Sequence, residues 1–139
     1  ADVICDCRAL PGQDEADVRA HVAATLGDRV AYELELLEPL AGGTESPIDT
    51  PLYEELERYV SDRVPGARLL PLVSTGFTDS HWIREAFGTV AYGFFPMRTM
   101  DPQVAARLVH SADERIAVDD LELAVRCFRQ VAVDVTGAS

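Results

Sequence analysis

Ser74-Thr75-Gly76-Phe77-Thr78-Asp79-Ser80-His81 stands between an apolar run, residues 69–73, and a helical pattern that reaches Phe87. A turn of small hydrogen-bonding residues between an apolar strand and a helix marks the carboxyl end of a strand in an α/β sheet, where ligands bind. The leading amides and the positive end of the helix dipole suit an anion there. Thr78 and Ser80 add hydroxyls and Asp79 adds a carboxylate. The plainer alternative is that Thr78 or Asp79 only caps the helix.

Working outward, residues 69–73 and 90–95 are apolar runs of the kind found in strands covered on both faces. Near the start the pattern differs. Val3, Cys5 and Cys7 alternate with Asp2, Asp6 and Arg8, and Val30, Tyr32, Leu34 and Leu36 alternate with Ala31, Glu33 and Glu35. Such alternation predicts half-wet strands. Between them Asp14 caps a helix carrying Val18, Val22 and Leu26 on one face, and Gly27-Asp28 ends it. Ala41-Gly42-Gly43-Thr44-Glu45-Ser46-Pro47, within residues 40–49, is the best linker. Thr50-Pro51 then opens a helix with Leu52, Leu56, Tyr59 or Val60, and Val64 as its stripe, and Pro65-Gly66 closes it. Asp101-Pro102 opens another. Asp119 or Asp120 opens the last, with Leu121, Val125 and Phe128 facing inward. The expected organisation is two regions divided near residue 40.

The chain has 139 residues, enough for one core or a pair of small lobes. Its formal charge is -12, and all twelve of its basic residues are arginine. Such a chain repels phosphate backbones, so nucleic acid is not an expected partner. No apolar run reaches the length of a membrane span and nothing resembles a signal peptide, so the expected setting is cytoplasmic, with no membrane partner. The chain opens on Ala1 straight into an apolar run, which reads as a fragment or a processing product.

Cys5, Cys7 and Cys127 form no zinc-ribbon spacing and read as small core residues, with a disulfide or metal pair as the alternative. His21 sits among polar helix residues and reads as solvent-facing. His81 adjoins the turn and can line a pocket. His110 follows an apolar stretch and precedes Ser111-Ala112-Asp113-Glu114. An imidazole on a polar loop is a good zinc ligand when a neighbouring carboxylate or carbonyl fixes its tautomer. Taken alone it reads as a surface residue, and the Ser111/Asp113 pair as a cap for the turn before Ile116. No Ser-His-Asp or Cys-His set has recognisable spacing.

Taken in order, these pieces resemble the C-terminal half of an M20-type metallopeptidase over residues 2–130. Asp6-Cys7-Arg8-Ala9-Leu10-Pro11-Gly12 is similar to the family's D-x-R-x-x-P-G segment in its inserted lid domain. Ser46-Pro47-Ile48-Asp49-Thr50 resembles the return into the catalytic domain. Gly76-Phe77-Thr78-Asp79-Ser80 resembles the G-G-T-D-S/A turn, and Arg84-Glu85-Ala86-Phe87-Gly88 the R-E-A-G-I segment. Tyr92-Gly93-Phe94 and His110-Ser111-Ala112-Asp113-Glu114-Arg115-Ile116 complete the series. Each piece is weak alone; their order and spacing make the match specific.

The resemblance implies an α/β fold. Residues 1–39 would be the C-terminal half of a ferredoxin-like α+β lid or dimerisation domain, and residues 40–139 the C-terminal part of a mixed-sheet catalytic domain. It implies a two-metal, usually dizinc, hydrolase of amide bonds in peptides or N-acyl amino acids, aminoacylase- or carboxypeptidase-like. His110 would be the metal ligand of this half. Gly76, Thr78, Asp79 and Ser80 would meet the substrate. The other ligands and the general-base glutamate belong to the family's N-terminal part, the implied partner, and a homodimer through the lid is a further implication. Phe77 replaces the usual second glycine and narrows the turn's approach to substrate. This chain alone is expected to be inactive. The rival reading is a truncated or degenerate, non-catalytic interaction module.

Overall fold

The computed structural model describes residues 1–38, 42–74 and 76–137. Leu40 and Ala41 of the expected linker, and Thr75 of the turn, lie outside the described residues. Among the described residues five α-helices follow in order: α1 Glu15–Leu26, α2 Pro51–Arg63, α3 Ser80–Phe87, α4 Pro102–Leu108 and α5 Val118–Thr136. A short 3₁₀ turn, Gly27–Arg29, follows α1.

The helices begin where local chemistry places them. Asp14 accepts from the amides of Ala16 and Asp17, while the Asp17 carboxylate accepts from the amide of Asp14, a reciprocal capping box. Thr50 accepts from the amide of Tyr53, with Pro51 in the first turn. Asp101 accepts from the amides of Gln103 and Val104 ahead of Pro102. Gly88 ends α3 in the left-handed region at φ 62°, where a side chain would be strained.

The expected mixed α/β sheet, and the expected half of a ferredoxin-like α+β layer, are not what the chain forms. Helix takes 47% of the structure and strand 2%. Residues 3–7, 30–36, 69–73 and 90–95 carry no strand assignment. Among the described residues the β pairing is a single parallel bridge, Pro11 to Gly43. The physical reason is that alternation assigns a face to a strand but supplies no partner for its amides. Pro71 removes a donor from one apolar run, and Gly93 packs no side chain in another. At the one bridge the backbones come so close that a Cβ on Gly43 would lie 2.5 Å from the Pro11 nitrogen.

The chain divides into two compact units. The first is Ala1–Ser46 with Leu72–Tyr92, and the second is Pro47–Pro71 with Gly93–Ser139. In the second unit α2 packs on α5. Leu56 and Tyr59 of α2, and Ala124, Cys127 and Val131 of α5, are buried. The small residues of α5 allow close approach of the two helices. Arg58 of α2 pairs with Glu55 on its own helix and reaches Asp134 of α5 at 2.8 Å. The Arg63 guanidinium lies 3.5 Å from the centroid of the Tyr59 ring, and the Tyr53 hydroxyl donates to the Leu69 carbonyl at 3.1 Å.

Asp120 is fully buried at the start of α5. Its carboxylate accepts from three successive amides: Arg98 at 2.8 Å, Thr99 at 2.9 Å and Met100 at 2.8 Å. Those bonds, the Arg98 amide foremost, hold its pKa below the ordinary carboxylate value against the opposing effect of burial. Leu121, Val125 and Phe128, the residues expected to face inward, are instead exposed. The buried stripe of α5 lies one position away and is made of smaller side chains.

Candidate functional site

The turn ahead of α3 belongs to the first unit. The Gly76 amide donates to the Ser74 hydroxyl at 3.1 Å. The amide of His81 donates to the Thr78 carbonyl and that of Ile83 to the Asp79 carbonyl, each at 3.1 Å. Asp79 has helical backbone angles, φ -58° and ψ -19°, and no side chain caps the first turn. The capping role open to Thr78 or Asp79 is therefore not taken up. Gly76, Thr78 and Asp79 are exposed and Ser80 is half-buried. A helix start with no side-chain cap, carrying hydroxyls and open to solvent, can accept an anionic group. The nearby carboxylate of Asp79 opposes one.

Behind this turn lies a polar cluster whose connections the sequence did not announce. His81 is buried, at 4% exposure. Its Nδ1 lies 3.3 Å from the Thr44 hydroxyl. That hydroxyl accepts from Arg84 Nε at 3.0 Å. Arg84 also donates to the carbonyls of Ala91 at 2.8 Å and Thr44 at 3.3 Å. Ser46 closes the cluster, accepting from the Ala91 amide and donating to the Ala91 carbonyl. Arginine can only donate, so the Thr44 proton is free to point at His81. His81 Nε2 is buried without a hydrogen-bond partner among the described residues. The Phe77 and Trp82 rings pack on the imidazole at 4.9 and 4.6 Å between centroids. Phe77 is thus engaged with His81, and its ring forms one wall beside the turn. The sequence placed Arg84 in the R-E-A-G-I-like segment and His81 beside the turn, but gave no signal that joined them to Thr44.

His110 belongs to the second unit, on the turn after α4. It is exposed, and its φ of 61° makes it the one non-glycine residue with positive φ among the described residues. Histidine tolerates this region better than most side chains, yet such backbones recur at functional sites. Two hydrogen bonds hold the turn: the Ser111 amide to the Leu108 carbonyl at 2.9 Å, and the His110 amide to Glu114 Oε2 at 3.1 Å. The Asp113 carbonyl accepts from Arg115, and the Ser111 carbonyl from the Glu114 amide. His21 is exposed. Cys5 and Cys7 are exposed, while Cys127 is buried, which pushes its thiol pKa up.

A zinc ion takes three or four nitrogen, oxygen or sulfur ligands. Among the described residues no three His, Cys, Asp or Glu side chains gather to hold one. Glu114 accepts the His110 amide through one carboxylate oxygen. These residues do not close a metal site by themselves, and no hydrolytic step follows from them alone. No helix among the described residues is long and apolar enough to cross a membrane. Compared with family models, with curated proteins and with solved structures, the chain matches none.

Proposed function

We propose that this chain carries one metal-binding histidine, His110, and a substrate-facing turn, Gly76, Thr78, Asp79 and Ser80, of a metal-dependent hydrolase acting on amide bonds of peptides or N-acyl amino acids. The ordered M20-like series supports this reading. The observation that carries it is the left-handed backbone of His110, held by Glu114 within the segment that resembles the family's metal-ligand loop. Uncommon backbones of this kind recur at functional sites.

In this reading His110 supplies a neutral imidazole nitrogen, and the remaining ligands come from residues outside this chain. The metal pair, when bound, supplies Lewis acidity and an acidified water. The chain's own share is to hold one ligand and to meet the substrate's carboxylate or scissile group at the turn ahead of α3. A non-catalytic interaction module is the second reading, favoured by the apolar side chains that α5 leaves exposed.

The test measures metal content and turnover of N-acyl amino acids by the polypeptide as its gene encodes it. His110→Ala is expected to lose one metal equivalent and more than the roughly 10–100-fold activity that loss of an outer-shell partner costs. Unchanged metal content and rate would overturn the assignment. A metal-free, inactive wild-type polypeptide would favour the interaction module. The 139-residue chain alone is expected to bind zinc weakly. Tight binding with turnover abolished by His110→Ala would show a self-contained site and overturn the dependence on outside ligands.

A further inference from the structure

Helix α5 has two apolar stripes, and only one is used. Asp120, Ala124, Cys127 and Val131 face the interior of the second unit. About 100° around the helix runs another series: Val118, Leu121, Val125, Phe128, Ala132 and Val135. Its intervals are three, four, three, four and three residues, the spacing of a coiled-coil seam. All six are exposed; Val118 is 79% and Val125 60% accessible. Phe95 extends the strip by packing edge-on against Phe128 at 6.2 Å between centroids.

We infer that this stripe is a self-association surface, on which α5 of a second copy lies antiparallel. The register follows from the side chains. An antiparallel seam sets Val118 against the second copy's Val135, Leu121 against its Ala132, and Val125 against its Phe128, so valine meets valine at the ends and larger side chains meet a small one or a flat ring within. Glu122 and Arg129 flank the seam on the side away from α2. In this register each Glu122 faces the Arg129 of the other copy, twice by symmetry. Arg129 makes no ion pair among the described residues, whereas Glu122 pairs with Arg126 through one oxygen and retains the other. A parallel arrangement aligns the helix dipoles and sets Ala124 and Val131, not charges, beside Glu122 and Arg129, so it gains no ion pair. The seam is about 26 Å long. That places the contact at the small end of stable interfaces, below about 1,200 Å² in total, and a micromolar dimer is expected. This inference does not rest on the metal-site reading.

The test is sedimentation equilibrium of the 139-residue chain over micromolar concentrations, with helix content followed by circular dichroism. A reversible monomer–dimer equilibrium is expected. Val125→Glu, at an exposed position, should keep the helix content and abolish the dimer. Glu122→Arg and Arg129→Glu should each weaken dimerisation by about tenfold or more, and the double reversal should restore it. A monomer at every concentration overturns the inference, whether another protein or the rest of a longer polypeptide covers the stripe. So does a dimer that survives Val125→Glu, or one whose single charge reversals have no effect or are not rescued by the double.

Discussion

The two units are held by different forces. In the second, a seam of hydrocarbon and one thiol between α2 and α5 is excluded from water, with Leu56, Tyr59, Ala124, Cys127 and Val131 each 5% exposed or less, beside the buried, hydrogen-bonded Asp120 carboxylate. In the first, the buried residue among those described is His81, and what surrounds it is a set of hydrogen bonds from Arg84, Thr44, Ser46 and the Ala91 backbone. Large apolar side chains of the first unit, among them Val3, Ile4 and Phe87, stand in water. A hydrocarbon core is non-directional and tolerates small adjustments, but it fails by volume. A hydrogen-bonded core is directional and fails by a single lost donor. The difference teaches where to look for unfolding: by cavity in one unit, by broken geometry in the other.

The largest effect is expected from Leu56→Ala, which opens a cavity between α2 and α5 and should cost about 2–5 kcal/mol. Thiol labelling reads it directly. Cys5 and Cys7 should react at once in the folded chain, and Cys127 only as the helices part, much faster in the variant. Rapid labelling of all three thiols in the unsubstituted chain would break the claim that the second unit has a closed core.

Next comes acid. The Asp120 carboxylate is depressed by its three amide bonds, and Asp134 by the Gln130 side chain first, with Arg58 contributing. A group with a depressed native pKa stabilises above its unfolded value, and that stability is lost as pH falls through the native one. The second unit should therefore hold its stability down to the ordinary carboxylate value of 3.8 and lose it progressively below. Asp120→Asn should flatten this part of the profile. A profile unaltered by the substitution would separate Asp120 from the acid transition.

Arg84→Met sharpens the other side of the comparison. It removes the donors to Thr44 and Ala91 and should cost about 1–3 kcal/mol. The single tryptophan, Trp82 on α3, reports it through fluorescence during denaturation. An unchanged midpoint would mean that the polar cluster contributes little, leaving the first unit without an identified source of stability. The smallest effect is expected from Thr50→Ala, the loss of the α2 cap, at about 1 kcal/mol by chemical denaturation.

Which parts were readable in advance follows from how far each determinant acts. The caps at Asp14, Thr50 and Asp101 act over three residues, and α1, α2 and α4 begin where those residues predict. α3 likewise occupies the expected stretch before Gly88. Strand pairing depends on partners remote in sequence, and the alternation around Val3 and Val30 carried no information about them. The facing of α5 was ambiguous for another reason. Its two stripes have the same spacing, and the bulkier one, Leu121, Val125 and Phe128, was the natural but incorrect choice for the interior. Within the site, residues 76–79 lead into α3 at Ser80. The Arg84–Thr44–His81 chain spans about forty positions and had no local signature. The unusual backbone of His110 is likewise invisible to composition, since histidine adopts either sign of φ without a marker.

The bonds that Asp120 makes have a consequence for proteolysis. A protease must draw several residues of its substrate into an extended strand and pair with their amides. Arg98 is followed by two residues whose amides, like its own, are committed to one buried carboxylate. Trypsin should therefore pass over the bond after Arg98 in the native chain, although the arginine is exposed and lies outside any helix. It should cut instead after exposed arginines outside the helices, such as Arg115 on the irregular segment ahead of α5. In Asp120→Asn the order of cleavage should change, with Arg98 becoming an early site, so a time course of fragments displays a single buried side chain as a change in the digestion pattern.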